Sequence, residues 1–276
     1  MHGWKNLAPF SWNENKQCLN FALLANNEPV EVAVEQHNGD IVITLISLSA
    51  LNAIQQAIVN DAVIRALDLT TDTTELYRLS KSINSKYATL VRKGAGRMLR
   101  SPTLWEDAAK TLFTTNCSWG LTKIMCQSAC SANFSVATAQ GGYPFPAVDK
   151  ICRSTETRLK EKMRVGYRAG FLKKLAAVLK QDQGSMDIEN FSEDELRHYF
   201  GSLAGFGPYA TNHILVLCGF YNQIPVDSVV KSYIKQRHQT DDCINYIESC
   251  YEKWGEYKWW GMKLEMIASS ANWLGD

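Results

Sequence analysis

The sequence predicts a mainly α-helical protein: a helix-hairpin-helix core over residues 98–276, preceded by an N-terminal mixed α/β domain over residues 1–97. Three observations carry this. Strand patterning is confined to the first 75 residues, and from Ser101 onward it vanishes. Between Ser192 and His238, two amphipathic helical runs flank a Gly-Phe-Gly-Pro turn.

The N-terminal part reads as strands first. Val30, Val32 and Val34 alternate with Glu31, Ala33 and Glu35, the period of a half-buried strand. Asn38-Gly39 is a hairpin-turn dipeptide, and Asp40 to Ile46 continues as a β-rich run. Further strand character lies around Cys18–Leu24. Leu51 to Leu67 reads as a helix with Ile54, Ile58 and Ala62 in register.

The remainder reads as helices separated by turns. Ser101-Pro102-Thr103 leads into a helix over Leu104–Phe113, and Thr114 to Trp119 forms a polar break. Gly141 to Pro146 is a loop on turn chemistry, and Val165 to Phe171 precedes a Lys-rich amphipathic helix. Ser192 followed by Glu195 is a capping box. Leu196, Tyr199, Phe200 and Leu203 mark that helix's apolar face. Gly205-Phe206-Gly207 breaks it, and Pro208 suits the first turn of the next helix, which carries Ile214, Leu215, Leu217 and Cys218. Such glycines let backbone approach a ligand, and the free amides at the helix start suit a phosphate. Pro225-Val226-Asp227-Ser228 then sets an acid at the head of a third helix.

Bulk properties narrow the class. The 276 residues are 46% hydrophobic and 21% charged, a globular composition. No apolar run approaches the roughly 18 residues of a spanning helix, and the first 16 residues lack a signal-peptide core, so an intracellular, non-membrane protein is expected. The net charge of +1 conceals an asymmetry. Residues 1–75 hold three basic and nine acidic residues, leaving +7 on the rest. Lys86 to Arg100 has five basic residues and no acid, which suits a polyanion, although solvated helix faces have the same composition. Eight cysteines form no Cys-x-x-Cys pair, and Cys126, Cys130 and Cys218 sit in apolar settings, as reduced buried thiols do.

Leu203-Ala204-Gly205-Phe206-Gly207-Pro208-Tyr209 followed by Pro225-Val226-Asp227 resembles the signature of the helix-hairpin-helix DNA glycosylase superfamily, closest in pattern to its 3-methyladenine and 8-oxoguanine branch. The resemblance is strong over 101–276 and weaker over 1–100, where that branch carries a mixed α/β domain. It implies that Asp227 drives base excision, an N-cap being the competing role. It implies DNA-backbone contacts at Gly205, Gly207, Tyr209 and Ala210. Asn116, in the polar break, would enter the duplex beside the extruded nucleotide; a helix cap is its other reading. Trp119, Tyr209, Trp259 and Trp260 are candidates for a base pocket, with core packing as the alternative. Tyr167 and Arg168 would face the cleft, or be a packed Tyr and a surface Arg.

The resemblance also bears on cofactors and chemistry. The carbonyls of Gly201, Leu203 and Phe206 would hold a structural monovalent cation. An iron–sulfur cluster is not expected, because Cys243 and Cys250 fit its first spacing but Lys253 and Trp259 stand at the next two positions. The informative departure is Tyr209, which occupies the place of the lysine nucleophile in glycosylase/lyases; a phenol forms no Schiff base. The implied activity is therefore hydrolytic excision of a damaged, alkylated purine from double-stranded DNA, without strand cleavage, by a monomer acting in base excision repair. The rivals are an oxidised-purine glycosylase and a DNA-binding protein without catalysis.

Overall fold

The computed structural model describes residues 2–181 and 191–270; residues 182–190 and 271–276 of the predicted core lie outside the described residues. The N-terminal strands are β1 (His2–Gly3), β2 (Ser11–Asn13), β3 (Cys18–Ala25), β4 (Glu28–His37) and β5 (Asp40–Ser47). Helices α1 (Ala53–Ala66), α2 (Thr74–Ile83) and α3 (Ser85–Arg92) follow, then the short β6 (Met98–Leu99). Next come α4 (Leu104–Thr114), α5 (Trp119–Ala129), α6 (Val148–Arg153), α7 (Glu156–Arg158) with a π-turn over Leu159–Met163, and α8 (Arg168–Gln181). The described chain ends with α9 (Glu193–Ser202), α10 (Pro208–Leu217), α11 (Ser228–His238), α12 (Cys243–Tyr251) and α13 (Lys258–Ser269). None of these helices is long and apolar enough to cross a membrane.

Strands β2 to β5 form an antiparallel sheet in sequence order. The β4–β5 hairpin closes at Asn38-Gly39 with His37 opposite Asp40, and both turn residues have positive φ, as a type I′ turn requires. Asn26 and Asn27 do the same for β3–β4, a second hairpin that the Asn-Asn dipeptide could have signalled. Val30, Val32 and Val34 are buried, as their alternation predicts. Helix α1 packs on β3, but its register differs from the expected Ile54, Ile58, Ala62 face. Ile54 is 67% exposed, and Val59, Ala62, Val63 and Ala66 make the contact. These smaller residues let the helix approach the sheet closely.

Helix α4 is the centre of the helical part, packing against α5, α8 and α10. Every residue from Glu106 to Phe113 is buried, including an ion pair of Lys110 with Glu106 at 2.5 Å. Asp107, on the same helix, is a junction. Its Oδ1 accepts hydrogen bonds from Trp4 Nε1 at 2.6 Å and from the Ser101 amide at 2.7 Å, and its Oδ2 faces Arg65 Nη1 at 2.8 Å. One carboxylate thus ties the N-terminal segment, α1 and the start of α4 together. β1 lies parallel to β6 beside it, and α3 packs on α13, so the N-terminal strand and the last described helix both pack on the stretch from α3 to β6.

The thiols behave as their settings suggest. Burial pushes the Cys126 and Cys218 thiols up to about 12; Cys126 and Cys130 are buried as expected, while Cys218 is half-buried.

Removing the Asp107 carboxylate leaves the Trp4 indole N–H and the Ser101 amide without their acceptor in the interior and takes the counter-charge from half-buried Arg65, which keeps its bond to the Ser101 carbonyl. Asp107→Ala should therefore cost about 3–5 kcal/mol of stability, the scale of breaking a buried ion pair. Urea denaturation of the variant beside the unsubstituted protein measures this directly.

Candidate functional site

The hairpin is built from local rules. Ser192 Oγ accepts the Glu195 amide at 3.3 Å and Glu195 returns a bond to the Ser192 amide at 2.8 Å, starting α9 as a capping box. Leu196 and Phe200 bury its apolar face, and Phe206 folds back on Phe200 with ring centroids 5.4 Å apart. Across the turn, Arg197 on α9 donates to Asn212 on α10 at 2.7 Å.

The two turn glycines do different work. Gly205 has φ +98°, and a Cβ there would stand 2.6 Å from Leu112 Cδ1, so it is required by the turn and by packing on α4. Gly207 has an ordinary φ of −78°, and a Cβ there would meet nothing within 4 Å. It caps α10 with Pro208 at the first helical position, and the amides of a first turn have no partner inside the helix. Ala210, the fourth expected backbone contact, has its side chain buried.

Asp227 follows Pro225-Val226 and caps α11, its Oδ1 accepting the Val230 amide at 2.8 Å. No other hydrogen bond among the described residues reaches the carboxylate. It is half-buried at the wall of a cavity of about 460 Å³, together with Asn116, Trp119, Tyr209 and Thr114. The cavity thus joins the acid, the hairpin tyrosine and the α4–α5 loop, elements separated by more than a hundred residues in sequence. A larger cavity of about 660 Å³ lies beside β3 and α1 and includes neither Asp227 nor the hairpin.

Asn116 is exposed, with φ +48°, a left-handed conformation that Asn tolerates better than most residues. It does not cap α5: Ser118 does, by accepting the Leu121 amide. Arg168 holds this loop in place. It is buried at 6% exposure and donates to the Thr115 carbonyl, while Tyr167 beside it is 57% exposed. The alternative of a packed Tyr and a surface Arg is therefore inverted.

Tyr209 presents its ring to the cavity. Burial pushes its phenol up, and its hydroxyl lies 3.4 Å from Thr114 Oγ1. Behind it stacks His213, centroids 5.8 Å apart, and behind His213 stands Trp4 at 5.2 Å. Neither His213 nor Trp4 was indicated by local sequence. The N-terminal Trp reaches the hairpin only through the fold.

Two candidates are corrected. Trp259 and Trp260, expected at a base pocket, are 2% and 1% exposed and lie in the core. Trp259 stacks on Tyr221 at 5.7 Å, and Trp260 fills the space over Gly96, where a Cβ would stand 2.8 Å from its ring. Large aromatic area is best removed from water where α13 meets the segment before β6. Trp119, by contrast, is 45% exposed at the cavity.

The carbonyls of Leu203 and Phe206 are already engaged, Leu203 O by the Phe206 amide at 3.1 Å and Phe206 O by Thr211 Oγ1 at 3.4 Å. A carbonyl has a second lone pair, so neither bond excludes a further contact at these oxygens.

No family model matches the chain, and no curated protein matches it. Solved structures do. The apo 8-oxoguanine glycosylase/lyase of Clostridium acetobutylicum superposes with a TM-score of 0.70 at 20% identity, over 96% of this chain and 92% of that one. The 3-methyladenine DNA-glycosylase of Archaeoglobus fulgidus gives 0.72 at 17% identity, over 93% and 88%. The Clostridium enzyme in complex with double-stranded DNA gives 0.69 at 18% identity, over 97% and 92%. The chain has the fold of these helix-hairpin-helix glycosylases, N-terminal sheet included.

His213 offers a test of the stack. It is half-buried with Nε2 sealed from solvent and unpartnered among the described residues, and burial, aided by the Lys263 charge, pushes it down to about 4. Its unfolded value is near 6.5, so the unfolded chain binds this proton first. The resulting stability is whole above about pH 6.5 and is lost as pH falls toward about 4, on the order of 3 kcal/mol. Denaturant titrations across that range should show a slope that His213→Phe flattens.

Proposed function

We propose that this protein is a monofunctional DNA glycosylase that hydrolyses the N-glycosidic bond of a damaged purine in duplex DNA. The observation that carries the reading is the cavity itself, where Asp227 stands opposite Tyr209 of the hairpin and Asn116 of the α4–α5 loop. A base within a duplex is out of reach, so it must be extruded, at a cost of a few kcal/mol. The α10 amides, with a cation at the Gly201, Leu203 and Phe206 carbonyls, would hold the backbone phosphates that offset this. Asn116 would enter the space the nucleotide leaves.

Bond cleavage builds positive charge on the sugar. A carboxylate fixed by its own N-cap bond and carrying a free oxygen stabilises that charge and orients the attacking water. Tyr209 supports hydrolysis rather than strand cleavage, since a phenol at that place forms no Schiff base, and the lysine that does line the cavity, Lys231, sits one turn into α11 beyond Asp227. An enzyme of this kind works where the duplex is, inside the cell.

The cavity wall bears on which purine enters. Trp119 and Tyr209 offer π-faces to a cationic ring, which supports an alkylated purine, the kind of base named for the Archaeoglobus neighbour. A second reading, an oxidised purine, is supported by Asn116 and by the activity named for the Clostridium neighbour. A panel of duplexes with single lesions, scored for abasic sites, tests the assignment.

Asp227→Asn should slow excision at least about a hundredfold, the scale of losing a transition-state charge partner, with duplex affinity kept. Near-normal single-turnover rates for the variant would remove the acid from the mechanism. Gly207→Val places a side chain in open space, so it should leave the melting temperature unchanged and weaken binding to all duplexes alike; titrations on several sequences check this. Borohydride added during turnover should trap no protein–DNA adduct, as read by denaturing electrophoresis.

A further inference from the structure

Strand β5 leaves one edge of the sheet open. It is the last strand, paired on one side with β4, and no other segment bonds to its far side among the described residues. The β4–β5 register is unbroken from Asp40 to Ser47, without a bulge. The pair that flanks a two-residue hairpin turn exchanges both backbone hydrogen bonds, and such pairs alternate along an antiparallel ladder. Asp40, Val42, Thr44 and Ile46 therefore direct their amides and carbonyls to β4, whereas Ile41, Ile43, Leu45 and Ser47 turn theirs outward. Native edges are guarded by lysines, prolines, bulges or short length, and the eight residues of β5 show none of these. Instead Ile41, Val42 and Leu45 are exposed, as is Leu48 just beyond the strand.

What fits this edge can be read from the strand itself. Antiparallel pairing about a two-fold axis at Thr44 joins every outward-turned residue to another: Ile41 to Ser47 of a second copy, and Ile43 to Leu45. On the opposite face Val42 meets Ile46, and Thr44 meets its own counterpart. Asp40, the one charge of the strand, falls opposite Leu48, so no like charges stand face to face. The exposed apolar side chains of each strand are covered by those of the other. Such pairing is isologous and closes on itself, because it uses the open β5 edge of both copies. The far edge of each sheet is β2, three residues long, which gives little for a further strand to follow.

We propose that β5 is a self-association surface, through which two copies of this chain join their four-stranded sheets antiparallel about Thr44 into one continuous sheet. The cavity of Asp227 includes no residue of β5 and is complete within each chain, so every copy keeps its own site. The acidic balance of residues 1–75 opposes the pairing at a distance, and salt screens repulsion of that kind. The dimer therefore tightens as ionic strength rises, the reverse of duplex binding.

Sedimentation velocity of the full chain from about 5 to 500 µM reads the association, a range suited to the modest area of a strand edge. The expected result is a monomer–dimer equilibrium that stops at two copies and strengthens with salt. Thr44→Lys, at an exposed position, sets two ammonium groups opposite each other on the axis and should weaken the dimer at least about tenfold. Leu45→Pro removes an outward amide without breaking the β4 ladder and should weaken it as much. Thermal melts of both variants separate a lost interface from a fold defect. Thr44→Cys tests the register, since residues opposed in a non-hydrogen-bonded pair have Cα atoms about 4.5 Å apart, within disulfide reach. Mild oxidation should join two Thr44→Cys copies covalently. It should leave Val42→Cys, whose counterpart lies about 13 Å along the ladder, no more cross-linked than the unsubstituted protein. A monomer throughout the range leaves the edge to some other strand and overturns the proposal. So does a dimer that ignores Thr44→Lys, one that weakens with salt, association that grows past two copies, or equal cross-linking of Thr44→Cys and Val42→Cys. None of these outcomes bears on the glycosylase reading.

Discussion

The rest of the structure depends on the buried carboxylate of Asp107. It gathers the Trp4 indole, the Ser101 amide and the Arg65 guanidinium, three groups from three separate parts of the chain. A charge taken out of water this completely is tolerable only when it is paired and hydrogen-bonded, so the three partners are held to one arrangement. Trp4 then becomes the back wall for His213, and His213 for Tyr209. The position of a cavity residue is thus set, through two ring contacts, by an ion on the central helix.

The same economy holds around the acid. Asp68 pairs with Arg100 at 2.8 Å and accepts from Tyr221, tying the segment after α1 to the loop that precedes Pro225. Arg168 fastens the loop of Asn116 from the opposite side. The cavity is therefore built on rigid supports, as a site that must hold a reacting sugar within a fraction of an ångström requires. Asp227 itself needs only the helix it caps. The bond that starts α11 also fixes the carboxylate, so its structural and chemical readings describe one geometry.

How much of this was legible depends on the range of the interaction. The Asn-Gly hairpin, the capping box of α9, the Pro at the start of α10 and the N-cap at Asp227 are decided within four residues, and the sequence by itself determined them. It also determined the order of hairpin and acid, and with it the fold class. Residues whose environment is assembled from distant segments were another matter. Trp259 and Trp260 carry the same local signal as Trp119, yet two are core and one lines the cavity. Tyr167 is exposed and Arg168 buried, the reverse of one of the two arrangements expected for them. The stack of Trp4, His213 and Tyr209 and the register of α1 on β3 were decided only by the tertiary structure. Burial is a property of what packs across from a residue, and a side chain's neighbours in space are not written among its neighbours in sequence.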